Sequence, residues 1–591
     1  MKQRSAYLDY SKSSLIVIIL TLFMASFFYY PKWTKTKTEA TISWDVSGYY
    51  LYLPASFIYK DLKTLSFYPG ILNKYEPTPD FQQAYKIENG NMVCKYSMGM
   101  AIQYIPAFIA GHVIAKMTNH PTDGYSMPYQ LALHIYSFLI AVAGLLLWFL
   151  FLRRYFSNAV VAFTLVSICL GSNYLTYTGI TNAMSHNYLL TAYAALLLIT
   201  DNFYKKPKWS YAVGIGLICG IMALTRPTEL IATFIPLCYG LSKNNWRDHL
   251  NFLYKHIYKI ITAVLICGSI GALQLAYWKY VSGSWIQYSY EDQGFSFLSP
   301  HILEGLFHIN NGWLTYSPMM LFSIVGLYHL FKSEFKFRQS LAFYILLFIY
   351  VAFSWDIWWY GGSVGQRTMV QLCPLLSIPF ACFTTALNKR SKAKVVMIVI
   401  ASLLIYYNLW ITHQAHLGEF YLTEKMSKKF LVHTIGKNKV SKTSFNLLDK
   451  AYYYNGFRKN INTLYTFNSK IDSSQESIVL NTDTSYSRAI TINIESNDFD
   501  WIRISGTALQ TMEYNYWNHT QLIVELYHSD ELVKKKFIRI NKFFDKDGEK
   551  SFYMDFLKPK NEIDKLMITF HLPGGDKKME IKKIKVETFN S

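Results

Sequence analysis

The sequence predicts a polytopic α-helical membrane domain followed by a smaller antiparallel β-sandwich. Hydrophobic residues make up 51% of the 591 residues and charged residues only 16%, whereas soluble domains carry about 25% charged residues. Apolar stretches of roughly 20 residues, the length that crosses a bilayer, recur along the first two thirds of the chain. The last part instead alternates apolar and polar residues, which is typical of half-buried strands.

About eleven apolar stretches, or more, are predicted to span the membrane. They cover residues 14–30, 129–152, 159–177, 186–203, 209–224, 227–241, 258–280, 312–331, 341–354, 368–387 and 395–411.

The loops between these stretches alternate in charge. "LRRYF", "YKKPKW", "FKSEFKFRQ" and "LNKRSKAK" are basic, whereas "TGITNAMSHN" and "FSWDIWWYGGSVGQR" carry almost no Lys or Arg. Basic loops stay in the cytoplasm, so the weakly charged loops and the C-terminal tail are predicted to face outward. The apolar stretch 96–117 would invert this order if it crossed. It is therefore predicted to lie along the interface or to be re-entrant, within one long outer loop, 31–128.

Three regions follow from these patterns: a membrane domain over 1–415, a linker over 416–469, and an outward sandwich over 470–591. The last region contains about seven alternating segments separated by turn signals such as "PGGDKK", as in jelly-roll-like sandwiches. The apolar run near the N-terminus has no small-residue cleavage site after it and indicates a retained signal anchor. The seven cysteines form neither a disulfide framework nor a zinc spacing.

The net charge of +20 does not indicate nucleic-acid binding, because the basic residues lie between apolar segments as membrane topology requires. The polar residues of the outer loops are more informative, since such groups are costly at membrane depth. Several of them on one side predict a cavity there. They are Asp45, Asn182, His186, Asn187, Arg226, Glu229, Glu291, Asp292, Asn310, Asn311 and Arg367.

In order along the chain, these features resemble the GT-C-fold glycosyltransferases, membrane enzymes that use lipid-linked sugars. Protein O-mannosyltransferases, the aminoarabinose transferase of lipid A and the oligosaccharyltransferase catalytic subunit belong to that group. The resemblance covers roughly residues 1–415. It rests on Asp45 in "SWDVSGYY", the long first outer loop, "RRYF", "TNAMSHN" and the late "WWYGGSVGQR".

The resemblance implies inverting transfer of a sugar from a polyprenyl-phosphate donor to a glycan, lipid or protein acceptor, with Asp45 as the general base. A carboxylate within reach of the acceptor hydroxyl can take its proton. The donor phosphate needs cationic or hydrogen-bond-donating groups, and Arg367 is the first choice, followed by Arg226. His186 is expected to hydrogen-bond either the phosphate or the acceptor. Trp44, Tyr49, Trp358 and Trp359 are expected to stack on sugar faces, and the remaining outer polar residues are expected to contact substrate.

One departure from the family pattern concerns the second outer loop, where "TNAMSHN" offers His186 instead of an acid. That puts a carboxylate-bound metal in doubt, so the metal stays undetermined, with a divalent cation held by Asp45 and His186 as the remaining option. The simpler interpretations also stay open. Arg367 can anchor the chain at headgroup level, and the two late tryptophans can belong to an aromatic belt.

The resemblance also implies a bacterial cytoplasmic membrane, with the active site and the sandwich facing the periplasm. The sandwich resembles a carbohydrate-binding module, although a rigid lid or a partner-docking domain fits equally well. Two other classes remain. A transporter or flippase for a lipid-linked saccharide should show paired halves with broken helices, and no such repeat is found. A non-catalytic glycan-assembly protein would tolerate changes at both Asp45 and Arg367.

Overall fold

A computed structural model describes the chain from residue 9 to residue 591, with gaps. The positions outside the description are 1–8, 243–244, 291–292, 334, 389–390, 419, 422–425, 442–443, 445–446, 449–453, 455, 470–476, 482–483, 512–519, 541–547, 560 and 573–577. The chain divides into two compact units, Met1–Glu424 and Lys425–Ser591. The first is mostly helical with several apolar helices, and the second consists mainly of β-sheet, as the sequence predicts.

The described helices of the first unit vary from single turns to seven turns. They are α1 (Tyr10–Met24), α2 (Trp44–Tyr50), α3 (Tyr52–Phe57), α4 (Tyr68–Tyr75), α5 (Gly99–Met117), α6 (Met127–Leu152), α7 (Asn158–Gly171), α8 (Ser185–Lys205), α9 (Trp209–Thr225), α10 (Phe234–Leu237), α11 (Trp246–Lys255), α12 (Ile257–Ser282), α13 (Ile302–Phe307), α14 (Trp313–Tyr316), α15 (Leu321–Lys332), α16 (Arg338–Phe353), α17 (Cys373–Leu387) and α18 (Ser391–His413). A two-stranded hairpin, β1 (Ala84–Lys86) and β2 (Met92–Cys94), lies between α4 and α5.

Six helical segments in the described residues are long and apolar enough to cross a membrane, as expected for a multi-pass membrane protein. They are Tyr10–Thr34, Gly99–Met117, Met127–Leu152, Ile257–Ser282, Arg367–Leu387 and Ser391–Gly418.

Several of the predicted spans are not single regular helices, and two of them are interrupted near prolines. Segment 227–241 is a 3-10 helix, Pro227–Thr233, followed by the four-residue α10. Segment 312–331 is interrupted at Pro318, between α14 and α15. Proline lacks an N–H and clashes with the preceding turn, so apolar composition alone does not produce a continuous helix at these positions.

The helix bundle has two chemically different ends. At one end the Nη1 atom of Arg153, which follows α6, lies 3.0 Å from Asp9 Oδ1. Arg154 Nη1 lies 2.6 Å from Asp201 Oδ2 near the end of α8. We call this the basic end, and it joins "LRRYF" and the start of the first helix as the charge pattern predicts. The opposite end contains the start of α8 and the end of α9. It also contains the segment between α1 and α6 that carries Asp45, and we call it the Asp45 end.

Helix α5 lies at the Asp45 end. Gly99 backs directly against the backbone of Thr225, and Gln103 Nε2 donates to the Thr225 hydroxyl at 3.0 Å. Farther along the helix, a Cβ on Gly111 would lie 2.8 Å from the Cα of Tyr129, near the start of α6. Since both halves of α5 meet helix termini at the same end, the contacts favour the predicted interfacial position over a crossing.

The second unit contains a short helix, α19 (Lys428–Thr434), and nine described strands in two antiparallel sheets. The strands are β3 (Lys459–Asn468), β4 (Ile478–Leu480), β5 (Ile490–Asn493), β6 (Trp501–Thr511), β7 (Gln521–His528), β8 (Glu531–Arg539), β9 (Gly548–Leu557), β10 (Lys565–His571) and β11 (Lys578–Asn590). One sheet has the order β5-β10-β7-β8 and the other β3-β11-β6-β9, with β4 also paired to β11. Inward side chains of both sheets form one core, where the rings of Phe552 and Phe570 meet at 6.1 Å.

The sheet that contains β11 begins earlier in the chain than the sequence predicts. Its strand β3 lies within 416–469, the segment predicted to be a linker. This strand pairs with β11 along the edge of its sheet. Only Phe467 among its residues is buried. An edge strand with mostly exposed side chains does not need the regular apolar alternation by which strands are recognised, so the pattern is weak there.

The two sheets also contain a buried ion pair. The Asp555 side chain is fully buried and accepts from Arg503 Nε at 2.6 Å and Nη2 at 2.7 Å, and from the Tyr454 amide at 2.8 Å. Breaking such a pair leaves an uncompensated charge, which costs about 3–5 kcal/mol. We therefore expect Arg503→Met to lower the free energy of opening of β6 and β9 by about that amount, measured by hydrogen exchange on the full chain.

The matched control is Lys565→Met, which removes a lysine paired with the largely exposed Asp530. An exposed pair contributes about 1 kcal/mol or less. Equal protection in both variants would contradict the assignment of the Arg503 pair as a buried structural interaction.

Candidate active site

Asp45 is presented by a strained turn at the start of α2. The preceding residue, Trp44, has φ +48°, a left-handed conformation that costs free energy for a non-glycine residue. Three hydrogen bonds hold it: its amide donates to Pro77 O at 3.0 Å, and its carbonyl accepts from Gln83 Nε2 at 2.9 Å and Ser47 Oγ at 2.7 Å. The backbone therefore fixes the direction in which the Asp45 carboxylate points.

Both carboxylate oxygens of Asp45 have a partner. Arg367 Nη2 lies 2.8 Å from Oδ2, with the two side chains only 16% and 20% exposed. Tyr96 Oη donates to Oδ1 at 2.8 Å. Burial raises the pKa of Tyr96, and the negative charge of Asp45 raises it further, so the phenol stays protonated as a donor. The sequence-predicted base and the first-choice cation are therefore in direct contact.

Arg367 is held by the glycine-rich loop before it, "GGSVGQR". Asn173 Nδ2 donates to Val364 O at 3.0 Å and to Gln366 O at 3.1 Å. The Val364 amide donates to Tyr177 Oη at 3.0 Å, and the Gly365 amide donates to Tyr421 Oη at 3.1 Å. With its backbone tied at three consecutive positions, the loop places Arg367 at the first position of the 3-10 turn Arg367–Leu372.

Arg226 is the second cation of the site. Helix α9 ends just before it because Pro227 follows, and a residue before proline is pushed into extended conformation. Its guanidinium carbon lies 6.0 Å from the centre of the Tyr360 ring. Burial raises the pKa of Tyr49, Asp45 raises it further, and Arg226 and Arg367 lower it. All three charges therefore act on one buried hydroxyl, and within the described residues Arg226 forms no ion pair.

A buried chain of hydrogen bonds connects His186 to Glu229. Gln371 Nε2 donates to Glu229 Oε1, and Tyr193 Oη donates to Glu229 Oε2. The other end of the same amide, Gln371 Oε1, lies 3.1 Å from His186 Nδ1. Glu229 and His186 are both almost fully buried, so Glu229 is committed to this chain and does not face the Asp45 carboxylate as an open acid.

This series of hydrogen bonds from Glu229 to His186 sets the tautomer of His186. When Glu229 is ionised, its carboxylate only accepts, so Gln371 presents its amide N–H₂ to Glu229 and its carbonyl oxygen to the imidazole. His186 must then carry its proton on Nδ1. Its Nε2 atom is buried without a hydrogen-bond partner among the described residues and is left as an acceptor. A neutral imidazole in this tautomer cannot donate to a phosphate, which argues against the role expected for His186 from sequence.

Three asparagines from the predicted site use their side-chain amides to join elements of the scaffold. Asn182 Nδ2 donates to His134 O at 3.2 Å and Asn187 Nδ2 donates to Ser137 O at 2.9 Å, which attaches α8 and the loop before it to α6. Asn311 Nδ2 donates to Trp359 O at 2.8 Å, whereas Asn310 donates only its backbone N–H, to His308 Nδ1 at 3.1 Å. None of these amides contacts Asp45 or Arg367.

The tryptophans differ in position. Trp44 is 45% exposed beside Asp45 and is available to a substrate. Trp358 packs against His308 with ring centres 5.2 Å apart, and both late tryptophans belong to the loop that leads to Arg367. Glu291 and Asp292, also expected at the site, lie outside the described residues.

The described donor set does not fit a divalent cation. No group of three or more His, Cys, Asp or Glu side chains comes together in the described parts of the chain. Asp45 is already neutralised by a guanidinium, and the charge of Arg226 acts on the same region. Carboxylates bind Mg²⁺ or Mn²⁺ when their charge is available, and here it is balanced by arginine.

Three residues of this site were missed from sequence. Tyr96, Tyr177 and Gln371 carry no signal of their own, because tyrosine and glutamine are common in apolar membrane proteins and the contacts join distant parts of the chain. Tyr96 is the first residue of the apolar stretch 96–117, which hydropathy alone reveals. Only the folded arrangement shows that it touches the base.

Comparison with known proteins gives a weak structural match. No family model matches the chain, and no curated protein matches it. Among solved structures, it is similar to the apo oligosaccharyltransferase of Archaeoglobus fulgidus, with 11% sequence identity and a TM-score of 0.44. The match covers 78% of this chain and 62% of that chain, so less than two thirds of the archaeal protein is represented.

The tautomer of His186 is directly measurable. With the full chain labelled with ¹⁵N-histidine in detergent near neutral pH, we expect the His186 ring to show a protonated Nδ1 and an unprotonated Nε2, because Gln371 Oε1 can only accept. His186→Asn assigns the signal by removing it. Gln371→Leu should release the tautomer preference, and a proton on Nε2 in the wild type would contradict the chain of hydrogen bonds.

Proposed function

We propose that this protein is a membrane glycosyltransferase that moves a sugar from a polyprenyl-phosphate donor to a glycan, lipid or protein acceptor. The observation that supports it best is the Asp45–Arg367 ion pair beside Arg226, at one end of a bundle of apolar helices. A carboxylate and two guanidiniums provide a proton acceptor and an anion site in one place. A lipid-linked phosphate ester is a substrate that reaches such a site from the membrane.

In the proposed reaction, the acceptor hydroxyl attacks the anomeric carbon and its proton passes to Asp45. The new carbon–oxygen bond forms as the bond between that carbon and the phosphate oxygen breaks, and polyprenyl phosphate leaves with the electron pair. A single displacement without a protein nucleophile inverts the anomeric centre. The proposal assigns no step to a divalent cation.

The arginines have distinct parts in this proposal. Arg367 uses Nη2 on Asp45, whereas its Nε is buried without a hydrogen-bond partner among the described residues. A guanidinium presents five N–H donors in a fixed plane, so Arg367 can hold the base and a phosphate oxygen together. Arg226 forms no ion pair among the described residues, and the proposal assigns it to the same phosphate, whose negative charge increases as the bond breaks.

Of the two parts expected for His186 from sequence, the proposal assigns it the contact with the acceptor rather than with the phosphate. Its Nε2 accepts a hydrogen bond and therefore suits a hydroxyl of the sugar or of the acceptor. The proposal places the reaction on the outer face of a bacterial cytoplasmic membrane, as the loop charges predict. It assigns acceptor binding to the β-sandwich, in the manner of a carbohydrate-binding module.

The test of the base is Asp45→Asn in the purified full chain, incubated with radiolabelled polyprenyl-phosphate sugars and a membrane extract that contains acceptors. We expect sugar release to fall by about 10²–10⁴-fold, the usual contribution of a general base, while lipid binding persists. Asp80→Asn is the matched control, because Asp80 is exposed in the same outer loop. Equal turnover in Asp45→Asn and the wild type would remove Asp45 as the base. No turnover in any variant, with lipid still bound, would instead favour a flippase.

A second test concerns the phosphate. Arg226→Gln removes a cation without breaking a salt bridge among the described residues, so we expect a higher KM for the donor by about 10-fold or more, from the loss of a charge-assisted hydrogen bond. Arg247→Gln, in α11, is the control. An unchanged donor KM in Arg226→Gln would exclude Arg226 from phosphate binding.

A further inference from the structure

A cleft at the basic end is separate from the proposed active site. It has a volume of about 610 Å³ and lies between α6, α8 and α9. Its apolar walls include Leu147 and Leu150 of α6, Leu198 of α8 and Ile218 of α9. Arg153 and Arg154, which follow α6, line it at the end of the bundle.

The cleft begins where two helices stop touching. Gly144 of α6 backs directly onto Thr191 of α8, a close approach that a small residue permits. The lining residues follow that contact toward the basic end, spaced at three and four residues on α6 and α8. They therefore form one stripe about 10 Å long on each helix, at 1.5 Å per residue. The cleft is apolar along its length and cationic at its end.

The cations at this end exceed the carboxylates that pair with them. Asp201 accepts from both Arg154 at 2.6 Å and Lys205 at 2.8 Å. Asp9 lies 3.0 Å from Arg153 and 3.8 Å from Lys12. Two carboxylates thus serve four cations, and Lys206 and Lys208 follow in the same loop.

Both arginines keep donors for a further anion. Both arginines donate through Nη1. Arg153 donates to Asp9 and Ser11, and Arg154 donates to Asp201 and Asn202. Among the described residues, their Nε and Nη2 atoms have no hydrogen-bond partner. The side chains are 30% and 32% exposed, so an anion can reach them from outside the bundle.

We propose that this cleft binds an anionic phospholipid, with an acyl chain along the apolar walls and the phosphate at Arg153 and Arg154. Basic pockets between membrane helices recognise anionic headgroups, and the apolar stripe requires a ligand with a hydrocarbon chain. The donor substrate is not the occupant, because its phosphate belongs at the Asp45 end. This site does not depend on the proposed transferase activity.

The test uses the purified full chain and native mass spectrometry, with phosphatidylglycerol and phosphatidylcholine as probes. We expect retention of phosphatidylglycerol over phosphatidylcholine. Ala195→Phe fills the apolar part of the cleft, which Ala195 lines, and Arg153→Gln removes one headgroup contact. Each should weaken phosphatidylglycerol binding by about fivefold or more. For Arg153→Gln this is the effect of one basic residue near a membrane surface, and for Ala195→Phe it follows from the loss of space for the acyl chain. Arg154 is left intact because its partner Asp201 is buried.

The matched controls are Ala272→Phe, on the exposed face of α12, and Arg247→Gln in α11, and both should bind lipid as the wild type does. Thermal melting of every variant confirms that the fold persists. Equal retention of the two lipids, or unchanged binding in Ala195→Phe, would overturn the proposal. Complete displacement of the lipid by millimolar inorganic phosphate would also overturn it and identify a site for free phosphate.

Discussion

The ion pair between Asp45 and Arg367 is the constraint on which the rest of the site depends. Two charged side chains this poorly exposed are tolerated when they neutralise each other. The pair connects the first outer loop to the beginning of α17. The strained Trp44 turn, the Tyr96 hydrogen bond and the clamped loop before Arg367 all keep the two partners in register.

The buried chain from Glu229 to His186 follows the same rule. A buried carboxylate must be satisfied by donors, and Gln371 and Tyr193 supply them. Satisfying Glu229 orients the Gln371 amide, and that orientation sets which imidazole nitrogen of His186 is free. The need to satisfy the buried Glu229 carboxylate therefore sets the protonated nitrogen of His186 through Gln371, although Glu229 and His186 share no hydrogen bond.

The two ends of the bundle divide their charges in opposite ways. At the basic end, carboxylates near helix termini are shared between cations, as at Asp201. At the Asp45 end, Asp45 pairs with Arg367, Glu229 accepts from Gln371 and Tyr193, and Arg226 forms no ion pair among the described residues. This end therefore places one carboxylate and two guanidiniums around the buried hydroxyl of Tyr49.

The sequence by itself determined the class of the protein, the helical and β-sheet units, the basic end, and the position of Asp45, Arg226 and Arg367 on one side. Hydropathy, charge and alternation are local or periodic, so they can be read along the chain. Tertiary structure alone decided that Asp45 pairs with Arg367, that Tyr96 donates to the second oxygen of Asp45, and that Gln371 joins Glu229 to His186. These depend on contacts between residues far apart in sequence, whose direction and geometry no local pattern contains.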